Sequence, residues 1–176
     1  TGVVNVITKT PRELAAQGGT SLTIGLGTFD RNVTGRDDQG AGSMFYVNGQ
    51  HAQAVSDRWS YKVSAGYVSQ DPLSRPTGTI PNSFNTPYPS FANEGTSQTK
   101  FSGRVDYDYQ DGARLVFEGG VAGTEGIIHT GIGPFDIDSS SRMAYLTSRY
   151  QKGGTRVAFF TNLLNGEGKN LLPVGP

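Results

Sequence analysis

Over residues 59–70 the chain alternates with a period of two. Trp59, Tyr61, Val63, Ala65, Tyr67 and Ser69 share one parity, while Ser60, Lys62, Ser64, Gly66, Val68 and Gln70 share the other. Successive side chains of a strand point to opposite faces, so this pattern predicts a strand with one apolar face and one mostly polar or small face. Its length constrains the fold further. Soluble strands average about 5–6 residues, whereas a tilted strand crossing a bilayer needs about 9–11.

The same grammar repeats. In 101–109, Phe101, Gly103, Val105, Tyr107 and Tyr109 alternate with Ser102, Arg104, Asp106 and Asp108. Asp111-Gly112 then supplies a strong hairpin signal, and the partner strand 114–123 places Leu115, Phe117 and Val121 opposite in parity to Arg114 and Glu118. Further strands are predicted over 21–29, 44–53, 142–151 and 155–164, making seven. Strands 44–53 and 142–151 mix apolar and polar residues on both parities, so their facing stays open. Helix signals are confined to Pro11-Arg-Glu-Leu-Ala-Ala-Gln17, enough for about one turn. The connections 55–58, 111–112 and 152–154 are tight, whereas 30–42, 71–99 and 125–141 are long and rich in Gly, Pro, Ser and Asn. Strict alternation of tight turns and long loops is the pattern of a membrane barrel, with short turns on one side and long loops on the other. The expected fold class is therefore all-β: an antiparallel meander forming a partial, unclosed wall of a transmembrane β-barrel.

Composition agrees. Hydrophobic residues make up 35% of the chain, below the usual 45–50%. A soluble domain this lean buries a thin core, but a barrel wall needs only one apolar face. Fifteen basic residues balance fifteen acidic ones, which removes the electrostatic argument for nucleic acid. No cysteine is present, so disulfide scaffolds and thiolate metal sites are excluded. No apolar run reaches the roughly 18 residues of a membrane helix.

Aromatic residues mark levels. Trp59 and Tyr61 follow one tight turn, Tyr107 and Tyr109 precede the next, and Tyr150 precedes the third. Tyr67 and Phe101 lie toward the far end of the same faces. Eight residues of tilted strand climb roughly 20 Å, close to the ~25 Å between two aromatic girdles. Every charge in the three clean strands (Lys62, Arg104, Asp106, Asp108, Arg114, Glu118) has the opposite parity to these rings. A lipid-facing Lys or Arg at mid-depth costs about 2–4 kcal/mol, so the charged parity belongs to a wet or plugged lumen.

The first nine residues, Thr1-Gly-Val-Val-Asn-Val-Ile-Thr-Lys9, form a β-branched run that precedes Thr10-Pro11-Arg12. This segment resembles the junction between plug and barrel of TonB-dependent outer-membrane receptors. In that family a Gly-Val-(Val/Ile)-Asn-(Val/Ile)-Ile-Thr-Lys stretch closes the plug. The string matches over residues 2–9; the rest of the likeness is architectural. The resemblance implies that residues 1–12 end a plug domain and 13–176 begin a barrel of 22 strands, the chain being a fragment of about a third of the wall. It also implies a bacterial outer-membrane location, an energy-transducing TonB-type partner acting through a segment not in this chain, and active import of a siderophore, cobalamin or glycan.

Ligand contact is expected from loop 71–99, where Arg75, Phe84, Tyr88 and Phe91 sit among five prolines. Rings on a Pro-stiffened loop offer contact area at low entropic cost. No cofactor, metal or catalytic group is expected: His51 and His129 lack zinc spacing, and no Gly-x-Ser-x-Gly elbow occurs. Asp136 and Asp138 lack the rest of a calcium loop. Three rival readings remain: a passive porin, a barrel lipase using His51 with Ser43 or Ser56, and a soluble β-sandwich binding module.

Overall fold

The computed structural model describes residues 8–32, 40–80, 84–131 and 133–172. Residues 1–7, which carry most of the junction segment, lie outside the described residues.

One short helix precedes a single antiparallel sheet. Helix α1 (Pro11–Ala16) begins where its sequence directs. Thr10 caps it by accepting from the Glu13 N–H, Glu13 reaches back to the Thr10 N–H at 2.7 Å, and Pro11 fills the first helical position. The strands are β1 (Thr20–Asp30), β2 (Ala41–Ala54), β3 (Trp59–Gln70), β4 (Thr96–Asp108), β5 (Arg114–Thr130), β6 (Gly133–Ile137), β7 (Arg142–Lys152), β8 (Thr155–Asn165) and β9 (Gly168–Asn170). The main sheet runs β1-β2-β3-β4-β5-β7-β8, each strand pairing with its neighbour. It does not close, since β1 and β8 are each paired on one side only.

The seven expected strands are present, and two short ones join them. Loop 125–141 is not the irregular stretch expected. Strand β5 continues to Thr130, turns back as β6, and β6 receives β9 on its other side. This three-stranded flap rises past the tops of β4 and β7. Gly126 makes it possible: its φ is +95°, and a Cβ there would run into the Gly95 carbonyl oxygen. Strand β4 also starts earlier than read, at Thr96, which shortens the long loop before it.

Register settles the two ambiguous strands. Val47 lies opposite Tyr67, and Gly49 opposite Ala65, so Phe45, Val47, Gly49 and His51 share the face of Trp59. Leu146 lies opposite Gly119 and Tyr150 opposite Leu115, which puts the even residues of β7 on that face.

The two faces differ sharply. Among the described residues the buried apolar set is only Ala52, Ala113, Val116 and Ile127. Leu22, Ile24, Leu26, Phe101, Phe117, Leu146, Phe159 and Leu163 are instead exposed, Leu26 at 83%. Among the described residues no second layer covers that face. The opposite face carries most of the polar and charged parity, although Met143, Phe160 and Leu164 are exposed on it, and α1 lies on it against β2, β3 and β4. Pro11, Ser60 and Asp106 are fully buried there.

Candidate functional site

The apolar face presents rows of side chains set by register. At the tight-turn end, the row Trp59–Tyr107–Leu115–Tyr150–Val157 crosses five strands. Its rings touch. Trp59 and Tyr107 have centroids 4.6 Å apart, Tyr107 and Tyr109 stand edge to face at 4.6 Å, and Tyr109 and Tyr150 lie 6.5 Å apart. Tyr61 sits one row higher, 5.8 Å from the His51 ring and bonded to Gln53 at 3.1 Å. Trp59, Tyr107, Tyr109 and Tyr150 thus form a run of ring contacts, with Tyr61 one row away. Tyr67 and Phe101 occupy adjacent rows farther up, Tyr67 opposite Thr99 and Phe101 opposite Ala65. Above Tyr67 the row turns polar, with Ser69 opposite Ser97 and Ser97 opposite Glu125.

The charged face of the sheet is built from paired charges near the tight turns. Arg104 grips Asp106 with two hydrogen bonds of 2.6 and 2.8 Å, and the pair is 7% and 2% exposed. Arg114 meets Asp108 at 2.5 Å, and Arg149 lies 3.7 Å from Glu118. Arg12 of α1 donates to the Ser56 and Asp57 carbonyls at 3.1 and 3.0 Å and stands 3.7 Å from Asp108. The helix is therefore pinned to the β2–β3 turn on the charged side of the sheet. Long inward side chains lie flat where the neighbouring strand has glycine: Tyr46 over Gly25, Phe29 over Gly42, and Tyr145 over Gly120. That keeps the relief of this face low.

At the long-loop end the charged face changes character. Two adjoining recesses of about 530 and 380 Å³ share Gln98 and Ile128. Their apolar lining includes Phe135, Met143, Leu164 and Val68, with the Gln70, Thr96 and Thr124 side chains as hydrogen-bonding neighbours. Sequence reasoning missed Phe135 and Ile128 because the flap carrying them reads as a Gly-rich loop.

The expected ligand residues are partly assembled. Arg75 lies over the Phe91 ring at 5.8 Å and donates to the Phe91 carbonyl at 3.4 Å. Phe84 is fully exposed, with φ +49°, beside Asn85 at φ +65°. Nearby, Thr79 and Pro87 form a bridge, and the Tyr88 N–H donates to the Gly78 carbonyl at 3.0 Å. Tyr88 is half-buried. Arg75 and Phe91 thus form one unit at the loop base, and Phe84 projects alone. The base itself is stitched. Asp71 accepts from the Ser43 hydroxyl and N–H, both at 2.7 Å, which holds its carboxyl below the ordinary 3.8. Arg31 donates to the Ala41 and Pro72 carbonyls at 3.1 and 3.3 Å.

On the outer side, a recess of about 560 Å³ is lined by Asp71, Glu94, Glu125, Asp136 and Asp138. Among the described residues no group of three or more His, Asp or Glu has the geometry to hold a metal. His51 bonds Thr20 through Nδ1 at 2.8 Å. Ser43 is engaged by Asp71, and the Ser56 hydroxyl accepts from the Trp59 N–H at 3.1 Å. Neither serine is paired with His51.

No family model, curated protein or solved structure matches the chain.

Proposed function

We propose that this chain is part of the wall of an outer-membrane β-barrel, and that the barrel is a TonB-dependent receptor importing a scarce ligand captured at its long-loop end. One observation carries the membrane reading: a sheet seven long strands wide leaves its aromatic and aliphatic face bare and gathers its charges on the other. Water penalises such exposed apolar area, and contiguous patches of this size mark interaction surfaces. Hydrocarbon rewards the same arrangement. The belt from Trp59 to Tyr150 then sits at the interface beside the tight turns, where amphipathic rings are favoured. Open edges at β1 and β8 are intolerable in lipid, so further strands close the wall.

The receptor reading is supported by the 2–9 segment and by α1, which holds the following chain against the inner, charged face at the tight-turn end. A plug strand entering the wall needs such an anchor. Ligand capture falls to the Arg75–Phe91 unit, Phe84, Tyr88 and the recess under the flap.

The test uses the full-length protein that carries this chain. It fractionates with the outer membrane and binds the periplasmic domain of a TonB-type protein in a pull-down. A barrel that reaches the outer membrane but never binds that domain is a passive porin. A protein that stays in aqueous fractions is neither.

A further inference from the structure

The inner face of β3 and β4 carries more positive charge than its carboxylates neutralise. Arg104, Arg114 and Arg149 each have an acidic partner. Lys62 and Lys100 have none among the described residues. Both belong to the inward parity, Lys62 opposite Arg104 and Lys100 opposite Gly66. The row between them holds Ser64 and Ser102, whose hydroxyl oxygens are 2.7 Å apart. Gly66 lowers the floor: a Cβ there would lie 2.5 Å from Lys100 Cε and would collide with Asn48 Oδ1. The Lys100 stem therefore lies across this glycine, beside the Asn48 amide.

We propose that the Ser64–Ser102 hydroxyl pair, with Lys62 and Lys100 in the rows on either side of it, is an anion site for the carboxylate or phosphate group of a solute in the lumen. An ammonium is a compact multiple donor, and hydroxyls turn to donate as needed. Charge-assisted bonds to such oxygens are about twice as strong as neutral ones. Asp106 is taken by Arg104, and Glu118 lies 3.7 Å from Arg149 and meets the Tyr145 hydroxyl, which also bonds Ser102, so the two lysines supply the charge that an anion would answer. The site rests on the reading that this face lines a water-filled lumen.

The chain has no cysteine, so once any thiol elsewhere in the full-length protein is replaced by serine, a single introduced thiol reports cleanly. In the full-length protein in detergent, Ser64→Cys is treated with two methanethiosulfonates of similar size, one bearing a sulfonate and one a quaternary ammonium. The anionic reagent reacts faster by about tenfold, from two cations within reach in screened water. The double variant Lys62→Gln/Lys100→Gln abolishes the preference, and inorganic phosphate slows the anionic reagent only while the lysines are present. Ser102→Cys repeats the measurement should Ser64→Cys assemble poorly. Equal rates, a faster cationic reagent, no reaction with either because the face is covered, or no protection by phosphate each overturns the site. A parallel Ala65→Cys variant in lipid vesicles separates the two readings. If it reacts as readily as Ser64→Cys, the membrane wall is wrong, while the charge preference at Ser64→Cys still decides the anion site.

Discussion

A single residue step decides whether a charge is tolerated in this sheet. Ala65 is outward and Ser64 inward, adjacent in sequence and midway along β3. In the membrane-embedded full-length protein, Ala65→Arg costs about 2–4 kcal/mol, the value for a cation at the bilayer midplane. Ser64→Arg costs less than about 1 kcal/mol. Denaturant titration of the barrel from lipid vesicles measures both. Equal costs would mean that the two faces meet the same environment. The buried Arg104–Asp106 pair makes a second residue-scale prediction. Asp106→Ala strands a guanidinium under α1 and destabilises by about 3–5 kcal/mol, whereas Arg104→Met/Asp106→Leu recovers most of that loss. The pairing was not legible in the sequence, because Arg104 and Asp106 are simply two inward residues of one strand. Their burial comes with the packing of α1 on this face, which no pattern within the strand announces.

Elements were legible in proportion to the purity of their patterns. β3, β4 and the lower part of β5 separate apolar from polar residues cleanly, and their facings follow from the sequence. β2 and β7 do not, since Tyr46, Met44, Met143 and Tyr145 are inward, and only pairing with β3 and β5 fixes them. The flap was unreadable for another reason. Gly126, Gly131, Gly133 and Pro134 signal a loop locally, yet Ile127 and Ile128 are held by partners from β6 and by the Thr96 hydroxyl, which donates to the Ile127 carbonyl at 3.0 Å. Gly126→Val should therefore unpair the flap, seen as faster amide exchange over 127–137 with β3 unchanged. At the base of the neighbouring loop, the Asp71–Ser43 link sets a pH window. Its folded pKa is below 3.8, so the link is intact above that ordinary value and is lost as pH falls through the lower, folded one. Protease cleavage within 72–95 should rise on acidification through that range. Asp71→Asn should show the raised cleavage at neutral pH and no further acid response.

At the scale of the whole molecule the pattern is an inversion. The four buried apolar residues among those described cannot offset the conformational entropy of ordering a sheet this wide in water. In the proposed barrel the bare face meets lipid, the charged face a lumen, and the open edges of β1 and β8 further strands. The general architecture was legible because alternation, strand length and loop alternation all point the same way. The recesses at the long-loop end were less so, because they are made by the flap and the charged face together, and no single stretch of sequence contains both.

The most direct measurement is a nitroxide scan of β3 in the full-length protein reconstituted in lipid, one cysteine at a time from position 59 to 70. Collision with oxygen, which concentrates in hydrocarbon, should peak at 61, 63, 65 and 67. Collision with a water-soluble nickel complex should peak at 60, 62, 64 and 66, with opposite phase. Odd positions that are shielded from oxygen, or that meet the nickel complex as freely as the even ones, would contradict a lipid-facing wall.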